Sequence, residues 1–123
     1  MLRILSSPSR VAALGTPPKV IEEFVGRVNS GTAQVSVARM KSPSGWSEPV
    51  QQPEFDEYTI VLAGMLRVTA HHSVADVHAG QAIIVSAGER VQYSTPGPDG
   101  AEYIAVCLPA FAPGLAHRED APA

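Results

Sequence analysis

Short apolar segments separated by proline and glycine constrain this chain more than any other feature of its sequence. Eleven prolines and ten glycines are spread over 123 residues, so a turn-forming residue interrupts the chain about every ten residues. This spacing is typical of a small all-β sandwich or barrel, whose strands hold about four to eight residues each. The length is that of one domain with one core. We therefore predict a single all-β domain over residues 1–123.

Seven segments have the β-branched, alternating composition of strands. They cover residues 33–40, 57–63, 65–71, 74–78, 82–85, 90–95 and 102–108. Ala63 and Gly64 lie between the second and third segments, and we interpret them as the tight turn of a hairpin. The sequence TPGPDG at 95–100 is a turn cluster that separates the last two strands.

One segment near the N terminus has helical spacing. Two prolines lead into KVIEEFVGRV, where apolar residues recur at intervals of three and four, at Ile21, Phe24, Val25 and Val28. Proline suits the first turn of a helix, and the two glutamates lie near the positive end of its dipole. The pattern predicts one short helix over 17–30, after an N-terminal extension over 1–16. The barrel then spans 33–108, and 109–123 is a draped or frayed tail.

Composition excludes several classes of protein. Hydrophobic residues make up 45% of the chain and charged residues 17%, which excludes disordered and coiled-coil chains. The formal net charge of -3 removes the usual electrostatic case for nucleic acid or anionic membrane, so neither partner is predicted. No window is apolar enough to span a bilayer. Cys107 is the only cysteine, so no intrachain disulfide can form, and a cytoplasmic location is expected.

Two glycine frameworks resemble the motifs of a known family. Residues 45–64, GWSEPVQQPEFDEYTIVLAG, resemble the first cupin motif, G-X5-H-X-H-X3-E-X6-G, with every interval kept. Residues 80–95, GQAIIVSAGERVQYST, resemble the second motif, G-X5-P-X-G-X2-H-X3-N, and are in register at Gly80 and Gly88. The resemblance implies a cupin, or jelly-roll, β-barrel built as a two-sheet antiparallel sandwich.

The metal-binding residues of the motifs are largely replaced. The three histidine positions fall on Gln51, Pro53 and Val91, and the glutamate position alone is retained, as Glu57. An ordinary cupin site holds a divalent metal with three imidazoles and one carboxylate. The resemblance therefore implies no bound cofactor, and a weakly held divalent metal on Glu57 and Gln51 is the alternative. The chain is similar in this to cupins of the ethanolamine-utilisation group, in which the histidine triad is also degraded.

Glu57 and Tyr93 are the candidate catalytic residues. The resemblance, together with the strand period of two, implies that Glu57 lies on the face that looks into the barrel. A desolvated carboxylate has a raised pKa and suits general acid or base catalysis near neutrality. Tyr93 shares the inward face of its own strand and offers a proton donor. The alternative for Glu57 is that it only braces the barrel mouth. The alternative for Tyr93 is that its ring only fills the barrel.

The candidate binding residues surround the same predicted cavity and are Gln51, Gln52, Glu54, Trp46 and Val91. The two glutamines offer amides to a ligand, or else belong to a polar loop. Glu54 lies in the acidic run PEFDE, which is either a hard-cation site or a solvated edge. Trp46 is interpreted as a lid over the barrel mouth or as a subunit contact.

Three functions stay open. The first is a proton-transfer enzyme, an isomerase, epimerase, cyclase or lyase, that acts on a small metabolite in the barrel without a histidine-triad metal. The second is a noncatalytic ligand-binding or accessory cupin, and the third is a metal-dependent oxygenase with atypical ligands. The final strand, EYIAVCL, is apolar on both faces, so a second subunit is expected to cover it in a homodimer.

Overall fold

A computed structural model describes residues 1–119 of the chain. The fold is almost entirely β, as predicted, with one short helix in the part described. The strands are β1 (Ser9–Val11), β2 (Val20–Val25), β3 (Ser36–Ser42), β4 (Trp46–Ser47), β5 (Asp56–Ala70), β6 (Val74–His78), β7 (Ala82–Val85), β8 (Val91–Thr95) and β9 (Ala101–Leu108), and the helix is α1 (Pro113–Ala116).

Strand β5 belongs to both halves of the curled antiparallel sheet. Its first half pairs with β9 and β7, and its second half pairs with β6 and β8. The order of the strands is β1-β2-β3-β9-β5-β8-β4, with β6 and β7 also paired to β5. One long strand therefore connects the two sides of the barrel, and the inward-facing residues of both sides form its core.

The predicted hairpin at Ala63-Gly64 is wrong, because the chain continues through these residues as one bent strand. The pairing of β5 with β9 shifts register between Val61 and Ala63, and Gly64 has φ 74°. A Cβ atom on Gly64 would lie 2.0 Å from the carbonyl oxygen of Gly100. Glycine is required there for both its conformation and the close approach of two backbones.

The predicted helix over 17–30 is also wrong, since Val20–Val25 form strand β2 between β1 and β3. Ile21 and Glu23 both face inward and are 6% and 4% exposed. The Glu23 carboxylate accepts hydrogen bonds from the backbone amides of Val28, at 2.9 Å, and Asn29, at 2.8 Å. Glu23 hides the alternation that is typical of a strand, because the sequence does not show whether a glutamate is buried or faces solvent.

The two terminal segments are more ordered than expected. The predicted extension over 1–16 contains β1, which pairs with β2. In the tail, Ala110 and Ala116 are fully buried, and the rings of Phe55 and Phe111 meet edge to face at 5.9 Å. Of the two alternatives for the tail, a frayed segment is wrong for residues 109–119, which lie packed against the barrel without forming a strand, while 120–123 lie outside the described residues. Within residues 1–119, no helix is long and apolar enough to cross a membrane.

Candidate functional site

A cavity of about 40 Å³ lies inside the barrel, next to the C-terminal segment. A volume of this size has room for roughly three water molecules. Apolar side chains form much of its wall. The polar and charged residues that line it come from distant parts of the chain, and they are Lys19, Glu23, Ser36, Glu48, Gln51, Glu57, Thr59, Tyr93, Tyr103 and Arg118.

Glu57 lies near the start of β5 and faces Tyr93 across the cavity. The Tyr93 hydroxyl donates a hydrogen bond to Oε1 of Glu57 at 3.0 Å. Burial, with a smaller contribution from the charge of Glu48, raises the pKa of Glu57 to about 7, although the bond from Tyr93 acts in the opposite direction. Burial also raises the pKa of Tyr93 well above its usual value. At neutral pH the tyrosine is therefore a proton donor and the glutamate a half-ionised acceptor.

A second pair, Lys19 and Glu48, lies beside the first. The Lys19 Nζ is 4.0 Å from Oε2 of Glu48, and their side chains are only 5% and 4% exposed. The same Nζ lies 4.2 Å from the centre of the Trp46 ring, which gives a cation–π contact. Burial lowers the pKa of Lys19 and raises that of Glu48. The mutual attraction of the pair opposes both shifts.

Gln51 and Arg118 lie at the edge of the cavity. Their backbones form a β-bridge, and Gln51 forms a second bridge with Val91. Within residues 1–119, Oε1 of Gln51 and Nε of Arg118 are buried without a hydrogen-bond partner. The Arg118 guanidinium also lies 5.2 Å from the centre of the Phe111 ring. The C-terminal segment thus supplies a cation to a cavity that is lined by three carboxylates.

Of the candidates from sequence, Gln51, Glu57 and Tyr93 line the cavity and Gln52 and Glu54 do not. Both of the latter are exposed. The Gln52 side chain donates to the carbonyl oxygen of Gly88 at 3.1 Å, and the Glu54 carboxylate bonds to His117. The expectation that they contact a ligand in the barrel is wrong, because neighbouring residues of an extended chain point to opposite sides.

Trp46 and Val91 belong to the hydrophobic core instead of the cavity wall. Trp46 is fully buried and its Nε1 donates to the carbonyl oxygen of Leu14 at 3.3 Å. It is therefore neither an exposed lid nor a surface available to a second subunit. Val91 is 2% exposed and its backbone pairs with Gln51, so its side chain packs in the core and does not line the cavity.

Sequence reasoning missed Lys19, Glu48 and Arg118. The sequence places Lys19 in a predicted helix and Arg118 in a predicted draped or frayed tail, so it predicts neither residue inside the barrel. Glu48 carried one usable signal, because it lies two residues after Trp46 within the first motif, and alternation places both on the same side of an extended segment.

The polar residues of the cavity do not fit the metal site of an ordinary cupin. Such a site needs three imidazoles and a carboxylate. Among residues 1–119, no group of three or more histidine, cysteine, aspartate or glutamate side chains is placed to hold a metal ion. The alternative ligands, Glu57 and Gln51, share their cavity with the ammonium group of Lys19, which already supplies a positive charge beside Glu48.

Comparison with solved structures shows the fold. The chain is similar to the polyketide cyclase RemF from Streptomyces resistomycificus, with a TM-score of 0.76 and 15% identity over 99% of this chain and 87% of that one. A variant of oxalate decarboxylase from Bacillus subtilis has a TM-score of 0.76 and 17% identity over 93% of this chain and 31% of that one. Ethanolamine utilization protein Q from Salmonella typhimurium has a TM-score of 0.65 and 18% identity, over 85% of this chain and 97% of that one.

No family model matches the sequence. A curated protein of Myxococcus xanthus, strain DK1622, named Endoribonuclease YbeY, is 48% identical to this chain over 101 residues. The match covers 82% of this chain but 34% of the relative. The chain thus spans about one third of the length of a protein whose name describes cleavage of RNA.

This relative overturns the function predicted from sequence. The prediction of a small-metabolite proton-transfer enzyme of the isomerase type is wrong, and so are the expectations of a small molecule in the barrel and of no nucleic acid, because the 48% identical relative is named as an endoribonuclease. The exclusion of nucleic acid rested on the net charge, which says nothing about how charges are distributed over a surface. The prediction from the glycine frameworks is confirmed at the level of the fold: the chain is a cupin-fold protein.

Proposed function

We propose that this chain takes part in RNA processing, as a folded module that works together with the catalytic region of an endoribonuclease. The observation that carries the proposal is the 48% identity over 101 residues with Endoribonuclease YbeY of M. xanthus. About two thirds of that relative lies outside the match. We assign the cleavage of RNA to that unmatched part.

The geometry of the barrel supports this division of roles. Ligand pockets typically have volumes of about 300 Å³ or more, whereas the cavity beside Glu57 measures about 40 Å³ and has no room for a nucleotide. Its cations, Lys19 and Arg118, share the cavity with three carboxylates, those of Glu23, Glu48 and Glu57, so their charge is largely neutralised. We infer that Glu57 and Tyr93 act as an internal brace, joining β5 to β8 through their hydrogen bond.

We also infer that the barrel descends from a metal-binding cupin with a degraded histidine triad, and that it holds no tightly bound metal. Gln51, Pro53 and Val91 stand at the three histidine positions of the motif, and the backbone bridge between Gln51 and Val91 supports the register. Metal analysis of the purified protein tests this, since one equivalent of zinc, iron, nickel or manganese would contradict it. The free, buried thiol of Cys107 supports a cytoplasmic location.

The proposed function is tested in the natural host. The coding region for these residues is deleted in frame, and the 5′ and 3′ ends of the stable RNAs are mapped by sequencing. We expect precursor RNAs with unprocessed ends to accumulate, and a wild-type copy of the chain to restore the mature ends. RNA ends that are identical in the deleted and parental strains would contradict the proposal.

A further inference from the structure

The cationic side chains are unevenly distributed along the sequence. Residues 1–31 contain four of the nine lysine and arginine residues and only two of the twelve aspartate and glutamate residues. The chain as a whole has a formal net charge of -3, so the segment after residue 31 is strongly acidic. An overall negative charge thus conceals a positive N-terminal region.

Three of these cations form no ion pair with any residue in 1–119. Among residues 1–119, five cationic side chains have a carboxylate oxygen within 4.0 Å, and they are Lys19, Arg39, Lys41, Arg67 and Arg90. Arg3, Arg10 and Arg27 have no such partner in that part of the chain, and all three are exposed. A guanidinium without a carboxylate partner remains available to an external anion.

Two of the three arginines lie at one turn, residues 26–30, where the connection from β2 to β3 begins, and the third, Arg10, lies in the neighbouring strand β1. Nη1 of Arg3 donates to the carbonyl oxygen of Ser30 at 2.9 Å, and Arg27 lies within the turn. Arg10 follows Ser9, whose hydroxyl is 2.6 Å from Oδ1 of Asn29. The N-terminal segment is therefore fixed against the turn.

The carboxylates nearest to this turn do not cancel its charge. Glu23 is buried beneath the turn, where the amides of Val28 and Asn29 donate to it. Glu22 lies opposite Arg10 in the β1–β2 register without forming an ion pair. Residues 1–31 thus combine three exposed guanidinium groups with two carboxylates, of which Glu23 is buried and Glu22 is half-buried.

We propose that Arg3, Arg10 and Arg27, which we call the arginine site, bind the phosphates of RNA. The inference rests on the proposed function and adds the surface through which this module contacts its substrate. A guanidinium has five N–H donors arranged for bidentate contact with phosphate. Arg3 and Arg27 each use one donor on a backbone carbonyl, which orients the group and leaves the others free. Because phosphates carry no sequence information, binding is independent of base sequence.

The test is binding of a labelled single-stranded RNA of about 20 nucleotides, followed by fluorescence anisotropy. About three neutralised phosphates give a salt slope near −2 on logarithmic axes, so affinity should fall about 20-fold between about 50 and about 200 mM salt. Changing all three arginines to glutamine should weaken binding at least about tenfold and flatten this slope. Changing all three to lysine should preserve most of the binding, because the charge is retained.

The matched control is the double variant Arg39→Gln and Lys41→Gln, which removes two exposed cations that already pair with Glu102. It should bind RNA as the wild type does. The proposal is overturned if the wild type does not bind RNA at low salt, or if the glutamine variant of the arginine site folds and binds equally well. A glutamine variant that loses binding and yet restores RNA ends in the deleted strain would show that the proposed function holds without this surface.

Discussion

The barrel interior and the arginine site use the same kinds of charged residue in opposite ways. Inside the barrel, Lys19 and Glu48 are about 95% buried as a pair, and Glu57 is bonded to Tyr93. At the arginine site, the charges lie in solvent and no carboxylate in the described part of the chain neutralises them. A buried charge loses its hydration and needs a partner within the fold. An exposed charge keeps its hydration, so it remains available to bind another molecule.

The difference separates what holds this fold together from what it presents to other molecules. Changes to the interior should therefore act on stability and depend on pH. Changes to the arginine site should act on binding and depend on salt.

The largest expected effect is that of Lys19→Met. The variant leaves Glu48 buried without its cation, and removing one member of a buried pair costs about 3–5 kcal/mol in the free energy of unfolding. Urea denaturation at pH 8 measures this loss, which should shrink as the pH is lowered, because burial raises the pKa of Glu48 and a protonated carboxyl group does not need a cation beside it. The control Arg39→Gln, at a partly exposed pair, should cost no more than about 1 kcal/mol. Equal losses from the two variants would contradict the comparison.

A change of pH should alter the free energy of unfolding by a comparable amount. The pKa of Glu57 is about 7 in the folded chain, against 4.5 for the unperturbed group, so the folded state binds this proton more tightly. The stabilisation that comes from the proton on Glu57 is complete below pH 4.5. Up to about 3 kcal/mol of it is lost as the pH rises from 4.5 to 7. Glu57→Gln should remove this part of the slope in urea titrations at stepped pH, and Glu54→Gln, on the surface, should keep it.

A smaller effect is expected from Tyr93→Phe. The change removes the hydroxyl that donates to Glu57 and leaves the ring in the core. The loss should be about 1–2 kcal/mol at pH 8, where the carboxylate needs its donor, and less at pH 5. Thermal melts at the two pH values measure the difference, and a loss that is the same at both would show that the bond does not stabilise the ionised form.

The smallest effect on stability is expected at the arginine site. Replacing Arg3, Arg10 and Arg27 together by glutamine removes exposed groups, so the free energy of unfolding should change by less than about 1 kcal/mol in total. The melting temperature should stay within a few degrees of the wild-type value. A large loss would mean that these side chains brace the turn at 26–30, and the contrast with the interior would disappear.

The sequence predicted the fold where local pattern and tertiary pairing agree. Strands β6 and β7 coincide with the predicted segments 74–78 and 82–85, because both are apolar runs bounded by turn residues. Strand β2 was missed because its inward-facing Glu23 is satisfied by amides that only the folded turn provides. The predicted hairpin at Ala63-Gly64 is wrong because a local pattern does not show that one strand can pair first with β9 and then with β6.

The candidate site was predictable only in part, for a related reason. The inward faces of β5 and β8 follow from alternation, which brought Glu57 and Tyr93 together correctly. Lys19 and Arg118 reach the cavity from segments near the two ends of the described chain, and only long-range packing determines their position. The arginine site was overlooked because its members are far apart in sequence and the net charge averages over them.

The long strand β5 has a consequence for how the chain loses its structure. Its first half is held by β7 and β9 and its second half by β6 and β8, with no loop between them where one half could detach from the other. Opening either side exposes the edge of a strand that the other side still needs, so local unfolding cannot stop at the middle of the molecule. The barrel therefore melts as one cooperative unit, and the backbone amides on both sides of Gly64 share a single free energy of opening.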